Sequence, residues 1–386
     1  MNTNARAGDL RSPSECLARS NALELLPPTD GNFKSPAHAS RRQFLGALGA
    51  TAAGLALPAR AASPPLASCF VIGDTHFFAD KTQPDQMDPT SVAYTSRLVD
   101  TLNRLPGTEL PAALGGGSVP APSGVLHVGD VIDTGDKAGP VHEAMQRTEW
   151  AAYEKQFGLT GTEGRLKFPV FELPGNHDSP HGRGHAVEQM IARQRARKNL
   201  KAVSPNGLHA SWDWGGVHFA SLGLIVGTDQ SVERKRRYAA SDSLAFLRED
   251  LANTPKDQPL VLLHHVDMAR YTVAKPDTDY TKWEWDPADV TAFYQAIKGR
   301  RAAIFYGHTH ARNIYRWDGS AKPAAEGLPV FNVDNSSHFA GNQQAFFYVE
   351  LRAGVLTARE YQTNDAWESG SWTPRTWTAS HAAAAR

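Results

Sequence analysis

The run FELPGNHDSPHG, residues 171–182, closes an apolar stretch with Pro-Gly and follows it at once with an amide, an imidazole and a carboxylate. Asn and Asp after Gly accept unusual backbone angles, so the run reads first as an ordinary turn. Its second reading is a reaction centre, and a motif this short draws that meaning only from its surroundings.

Outward from it, short apolar runs alternate with longer amphipathic ones. CFVIGD (69–74), VLHVGD (125–130) and FPVFELPG (168–175) read as strands. Helices are predicted over 89–105, 138–157 and 185–198. The period then changes, and LHASWDW and VHFASLGL flank Gly215-Gly216 as a β-hairpin. A helix follows over 241–253, opened by a Ser/Asp cap. PLVLLHH, AAIFYGH, PVFNVD, AFFYVEL and LTAREY complete the strands. Such alternation predicts sheets flanked by helices, with ligands gathered beyond the carboxyl ends of the strands.

The polar residues follow that rule. Asp74 and His76 close one strand, Asp130 and Asp133 another, and Asn176, His177 and Asp178 a third. His264 and His265 close a fourth, and His308 and His310 a fifth. A histidine at one strand end is more often a surface residue than a ligand, and GHTH alone could be a polar turn. Five such ends in one chain are hard to assign to turns. Carboxylate oxygen and imidazole nitrogen suit Mn, Fe, Zn or Co. Residues i and i+2 on extended chain face the same way, so Asp74/His76 and His308/His310 can each present two ligands together. The donors are too many for one ion and suit a two-metal clamp.

Asp-x-His, Gly-Asp-x-x-Asp, Gly-Asn-His-Asp, His-His after an apolar strand, and Gly-His-x-His occur in this order. Together they resemble the calcineurin-like metallophosphoesterase superfamily over about residues 68–335. The resemblance implies an α/β fold, a four-layer α/β/β/α sandwich of two mixed β-sheets flanked by helices. It implies two divalent or trivalent transition-metal ions, with Asp74, His76 and His310 on one, Asn176, His264 and His308 on the other, and Asp130 bridging. A hydroxide activated between them would attack the phosphate ester of a small-molecule substrate. His177 would contact the phosphate or protonate the leaving group, oriented by Asp133. Asp178 reads as a structural turn residue. His265 points to the opposite face from His264, and supports the site or meets a substrate oxygen. His338 is open; it could line the pocket. His127, His181, His185 and His218 read as ordinary.

Asp133 stands where purple acid phosphatases carry a tyrosine, so no purple colour is expected. Only some 75 residues follow His310, too few for the base-binding domain of secreted 5′-nucleotidases. A cyclic-nucleotide or other phosphodiesterase on the same site stays open beside a monoesterase. A catalytically silent phosphate-binding protein is opposed by the full set of donors. The loop 267–287 carries Tyr271, Tyr280, Trp283 and Trp285, which either stack on a substrate ring or pack as a lid.

Composition bounds the rest. The 386 residues are 41% hydrophobic and 21% charged, and Lys+Arg and Asp+Glu number 40 each. This balance is that of a soluble globular protein and lacks the basic excess of a nucleic-acid binder. Residues 1–62 read as a leader. Arg41 and Arg42, an apolar run from Phe44 to Pro58 and the A-x-A site Ala59-Arg60-Ala61 are the parts of a secretory signal in order. The Ser-Arg-Arg-x-Phe-Leu string resembles a twin-arginine signal. Passage through the twin-arginine translocase, a periplasmic or secreted location and no stable membrane anchor are therefore expected; the apolar run is too short to span a bilayer. Cleavage would remove Cys16 and leave Cys69 alone, with no internal disulfide. A metallophosphoesterase domain is expected over 63–362 and a fraying surface tail over 363–386.

Overall fold

In chain order the elements are β1 (Ala67–Ile72), β2 (Ala79–Asp80), β3 (Gln83–Met87), α1 (Pro89–Arg104), β4 (Gly124–His127), α2 (Pro140–Gln156), β5 (Val170–Glu172) and α3 (His185–Ala196). The chain continues with β6 (Ala202–Val203), β7 (Ala210–Trp214), β8 (Val217–Ser221), α4 (Ser243–Ala252), β9 (Leu260–Leu263), α5 (Pro287–Ile297) and β10 (Ala302–Tyr306). It ends with β11 (Asn313–Trp317), β12 (Leu328–Asn332), β13 (Gln344–Arg352), β14 (Val355–Thr363) and β15 (Ser371–Ser380). This computed structural model describes residues 67–229, 238–268, 284–320, 324–352 and 354–380. The leader and its twin-arginine string lie outside the described residues. No described helix is long and apolar enough to cross a membrane.

One sheet runs β15-β14-β13-β1-β4-β5, the other β11-β12-β10-β9-β8-β7-β6. Both are mixed. β1, β4 and β5 are parallel neighbours, and β13 joins β1 antiparallel. In the second sheet β8, β9, β10 and β12 are parallel, with antiparallel strands at the edges. The central strands are apolar on both faces because both faces are covered.

Strand alternation assigns those faces. Cys69, Val71, Leu126 and Val128 of the first sheet pack against Val261, Leu263, Phe305 and Phe331 of the second. The alternate residues Phe70, Ile72 and Val125 pack under α1–α3, against Leu98, Leu102, Trp150, Tyr153 and Met190. On the far side Leu260, Leu262, Ile304 and Tyr306 meet Leu247 and Leu251 of α4 and Val290 and Phe293 of α5. The layers are therefore α/β/β/α, as expected. Cys69 is buried in the inner layer, and burial pushes its thiol pKa up.

Asp-Pro opens two of the helices. The Asp88 side chain accepts from Thr90 and Ser91 N–H ahead of α1, and Asp286 from Ala288 N–H ahead of α5. Each occupies amide donors that the first turn cannot pair. The cap expected at α4 differs. Asp242 is left-handed and makes no capping bond; its carboxylate accepts from Asp229 N–H instead.

The tail expected over 363–386 is also different. β15 pairs antiparallel with β14 along Val355–Gln362 and forms the edge of the first sheet. Its polar, Pro-containing sequence hides a strand. Pro374 sits opposite the irregularity between Arg359 and Tyr361, on an edge where a missing donor is tolerated.

Candidate metal centre

The parallel strands of both sheets end on one side, and the polar residues collect there. Backbone pairing continues past β1: Asp74 N–H donates to Gly129 O at 2.9 Å, and His76 N–H to Asp130 O at 3.1 Å. The second sheet joins through His308, whose N–H donates to the Asp74 carboxylate at 2.9 and 3.1 Å. Asp74, His76, Asp130, His308 and His310 all have left-handed backbone, with φ between 45° and 75°. Such angles are disfavoured outside glycine and occur where a surrounding structure enforces them. Two glycines permit the close approach. A Cβ on Gly129, at φ +98°, would lie 2.5 Å from His265 Nδ1, and one on Gly175 would overlap Asp130.

Two clusters result. Asp74, His76, Asp130 and His310 place one ligand-type atom each within 4.8 Å of one another. His76 Nε2 lies 3.1 Å from His310 Nε2 and 3.6 Å from Asp130 Oδ2, and His310 Nε2 lies 3.4 Å from Asp74 Oδ1. The second cluster is Asp130, His265 and His308. His265 Nε2 is 3.2 Å from Asp130 Oδ2 and 3.2 Å from Asn176 Oδ1. Asp130 Oδ2 thus faces both clusters, while its Oδ1 accepts the N–H of His177 at 2.7 Å.

The residues fit a metal pair. Ligands at roughly 2.1 Å around a tetrahedral ion stand about 3.4 Å apart, the spacing seen here. Asp74 and Asp130 are buried, and among the described residues no Lys or Arg pairs with either. Buried carboxylates require a counter-charge. In the metal-free protein the imidazoles provide it. Burial opposes ionisation of Asp130, but His265 and His177 outweigh it and hold the carboxyl well below its ordinary range. Burial likewise lowers the His265 pKa, but the Asp130 charge prevails and raises it to about 9. His76 and His308 are lowered, chiefly by burial.

Asp74, His76, Asp130, Asn176, His177, His308 and His310 lie together at these strand ends; His264 does not. Its ring is buried on the other face, stacked on Tyr306 at 5.7 Å and edge-on to Trp285 and Phe293. Neither ring nitrogen has a partner among the described residues, and burial lowers its pKa to about 3. His265 takes the place expected for it, tied by Nδ1 to Val128 O at 2.8 Å. Adjacent residues at a strand end face opposite ways, and the histidine that faces Asp130 is the second one.

Asp133 also differs from expectation. Its carboxylate holds His76 Nδ1 at 3.0 Å and Lys137 Nζ at 3.0 Å. His177 is oriented instead by the Asp133 backbone, Nδ1–H donating to the carbonyl at 3.0 Å, with the carboxylate at 3.7 Å. Asp178 clamps the turn, accepting from Gly175, Val131 and Ile132 N–H at 2.8–3.0 Å. Trp285 is core, its Nε1–H donating to Val266 O, so it neither stacks on a ligand nor forms a lid. Tyr271, Tyr280 and Trp283 lie outside the described residues.

Two neighbours escaped the sequence reading or were left open by it. Glu284 is buried, with Oε1 3.4 Å from His308 Nε2. Its only signal was its position in an aromatic loop. His338 lies against His76 and His310, ring centroids 4.5 and 4.7 Å away. It follows β12, a parallel neighbour of β10, so the strand-end rule extends to it.

The sequence profile of the calcineurin-like phosphoesterase family matches residues 68–312. The chain belongs to this family of enzymes, which hydrolyse phosphoric ester bonds at a dimetal centre. Two solved structures share the fold. A dimetal phosphatase from Danio rerio is 10% identical, with a TM-score of 0.52 over 82% of this chain and 100% of the other. The protein solved as PhoD is 11% identical, with a TM-score of 0.52 over 83% of this chain and 70% of the other. No curated protein sequence matches the chain.

Proposed function

We propose that this chain is an exported phosphoesterase acting on small-molecule phosphate esters. The observation that carries the reading is one buried carboxylate oxygen, Asp130 Oδ2, set 3.6 Å from His76 Nε2 and 3.2 Å from His265 Nε2. Asp74, His76, His310 and Asp130 would hold one ion, and Asn176, His265, His308 and Asp130 the other. Mn, Fe and Zn all suit this mixture of carboxylate, amide and imidazole. When bound, two such ions supply positive charge to a phosphoryl group and lower the pKa of water toward neutrality.

The chain's own residues then divide the remaining work. Asp133 bonds His76 Nδ1, which leaves Nε2 directed at the cluster. His177 commits Nδ1–H to a backbone carbonyl, so its Nε2 edge is free for substrate. Burial lowers its pKa, but the Asp130 and Asp133 charges outweigh that and raise it above its ordinary value. A protonated His177 can donate from Nε2 to a phosphoryl oxygen or to the departing alcohol. A cavity of about 230 Å³, lined by Asp136, Asn176, Pro180, His181 and Tyr238, offers room for the ester group beside the cluster. Export rests on Arg41-Arg42, the apolar run and the A-x-A site, with the twin-arginine translocase as the partner in transit and the periplasm as the destination.

Asp130→Ala and His308→Ala, assayed on an aryl phosphate with added Mn, should lose activity by orders of magnitude. Undiminished turnover in either would sink the assignment. A panel of mono- and diesters with the wild type decides between the two ester classes. Cell fractionation with Arg41 and Arg42 changed to Lys tests export.

A further inference from the structure

His338 offers a ring nitrogen within 4.8 Å of those of His76 and His310, which by distance alone makes it a possible additional ligand. Its hydrogen bonding argues otherwise. His338 Nδ1 accepts the N–H of Ala340 at 3.2 Å. A nitrogen that accepts carries no proton, so the proton of this ring is on Nε2. With one lone pair engaged and the other nitrogen protonated, neither nitrogen can ligate a metal. The Nε2–H is a hydrogen-bond donor.

The loop that carries the ring is built into the fold. Ser336 N–H donates to Gly73 O at 2.9 Å, and Gly73 N–H returns to Ser336 Oγ at 3.2 Å. Ser337 Oγ donates to Thr75 O at 3.2 Å, and Trp367 Nε1 donates to Ser336 O at 2.7 Å. Gln344 Nε2 donates to the carbonyl of His338 itself. The ring lies flat on Phe339 at 4.8 Å, and Phe339 lies flat on Phe78 at 4.7 Å. This stack fixes the ring plane and leaves the imidazole at its inner end, half-buried and edge-on to His76 at 90°.

We propose that His338 is a substrate-binding residue, donating Nε2–H to a non-bridging oxygen of the phosphoryl group held against the His76–His310 cluster. It would stand beside that cluster, its ring edge-on to His76 as that of His177 also is. The inference rests on the phosphoesterase reading and adds a second imidazole donor to it.

The test compares wild type with His338→Phe, which keeps the stack and removes the donor, and His338→Gln, whose amide can still donate. Metal content is measured by elemental analysis, and inorganic phosphate binding to the metal-loaded protein by calorimetry. Turnover of an aryl phosphate is followed in parallel. His338→Phe should keep two metal equivalents and bind phosphate about tenfold more weakly, the worth of one good hydrogen bond. KM should rise with it, and His338→Gln should recover part of the loss. Loss of a metal equivalent in His338→Phe would make His338 a ligand and overturn the proposal. So would phosphate affinity equal to wild type. Wild-type protein that binds neither metal nor phosphate fails the phosphoesterase reading itself, a result distinct from a variant indistinguishable from active wild type.

Discussion

His264 and His265 are adjacent, identical and both fully buried, so exchanging the roles of the two rings gives opposite predictions. Consider His264→Leu and His265→Leu. His264 buries two ring nitrogens without partners among the described residues, against Trp285, Phe293 and Tyr306. A buried unpaired polar group costs about 1–3 kcal/mol, and an apolar replacement of similar size loses at most about 1.5 kcal/mol in fit. His264→Leu should therefore range from about neutral to about 3 kcal/mol more stable, and keep both metal equivalents. His265→Leu removes the 3.2 Å partner of Asp130 Oδ2 and leaves that buried oxygen, in metal-free protein, with only the 3.6 Å contact to His76. Breaking a buried pair costs about 3–5 kcal/mol. Metal-loaded His265→Leu should also fall by one equivalent and lose turnover. Urea unfolding of the metal-free proteins gives the stabilities, and elemental analysis the occupancies. If His264→Leu loses a metal and His265→Leu retains both, the placement of the two rings is wrong.

Further expectations concern the frame around the site. Glu172 meets Arg193 at 2.7 Å and Arg197 at 2.8 Å; burial alone would raise its carboxyl, but the two guanidiniums outweigh it and hold it down to about 2 from an ordinary 4.5. Its contribution is therefore complete above pH about 4.5 and fades as pH falls toward 2, an effect of about 3 kcal/mol. Glu172→Gln should lower stability at pH 7 and flatten acid unfolding between those pH values; an unchanged acid slope would contradict this. Gly175→Ala, which drives a methyl into Asp130, should leave circular dichroism intact but lower metal content and turnover together. Truncation after residue 370 removes β15 with Trp372 and Trp377, which pack on the first and inner cores. Both are half-buried, so at roughly half of the 1.5–3 kcal/mol of a fully buried apolar side chain the loss should be about 1.5–3 kcal/mol in all, and an unshifted melting temperature would return β15 to the status of a tail.

The strand ends were legible because ligands must come from the carboxyl ends of parallel strands, and Asp74, Asp130, Asn176 and His308 each follow a Gly at such an end. Which of His264 and His265 turns inward was not. β9 stops at Leu263, and the two N–H groups then bond different elements, His264 to Phe305 and His265 to the Gly223–Leu224 turn. Strand parity carries on through both: His264 follows Leu260 and Leu262 onto the helix-covered face, and His265 follows Val261 and Leu263 toward the other sheet. In a strand apolar on both faces, the sequence does not mark which face is which. The same holds for Asp133, whose carboxylate and carbonyl serve different histidines, a division no spacing reveals. His338 is distant from every motif and reaches the site only because β12 lies parallel to β10. β15 was hidden for a simpler reason: an edge strand open to solvent carries no apolar alternation and can hold a proline.

Five site residues sit in a backbone region that glycine occupies freely and other residues enter at about 1–2 kcal/mol each. Stability engineering meets a coupled constraint there. Glycine would relieve the backbone but strip side chains that hold the site together, such as the Asp74 carboxylate under His308 N–H and the Asp130 carboxylate beside His265. Losing one partner of a buried pair costs about 3–5 kcal/mol, more than the relief returns. Any such campaign has to hold these five positions fixed, and the strain there measures what activity costs the fold.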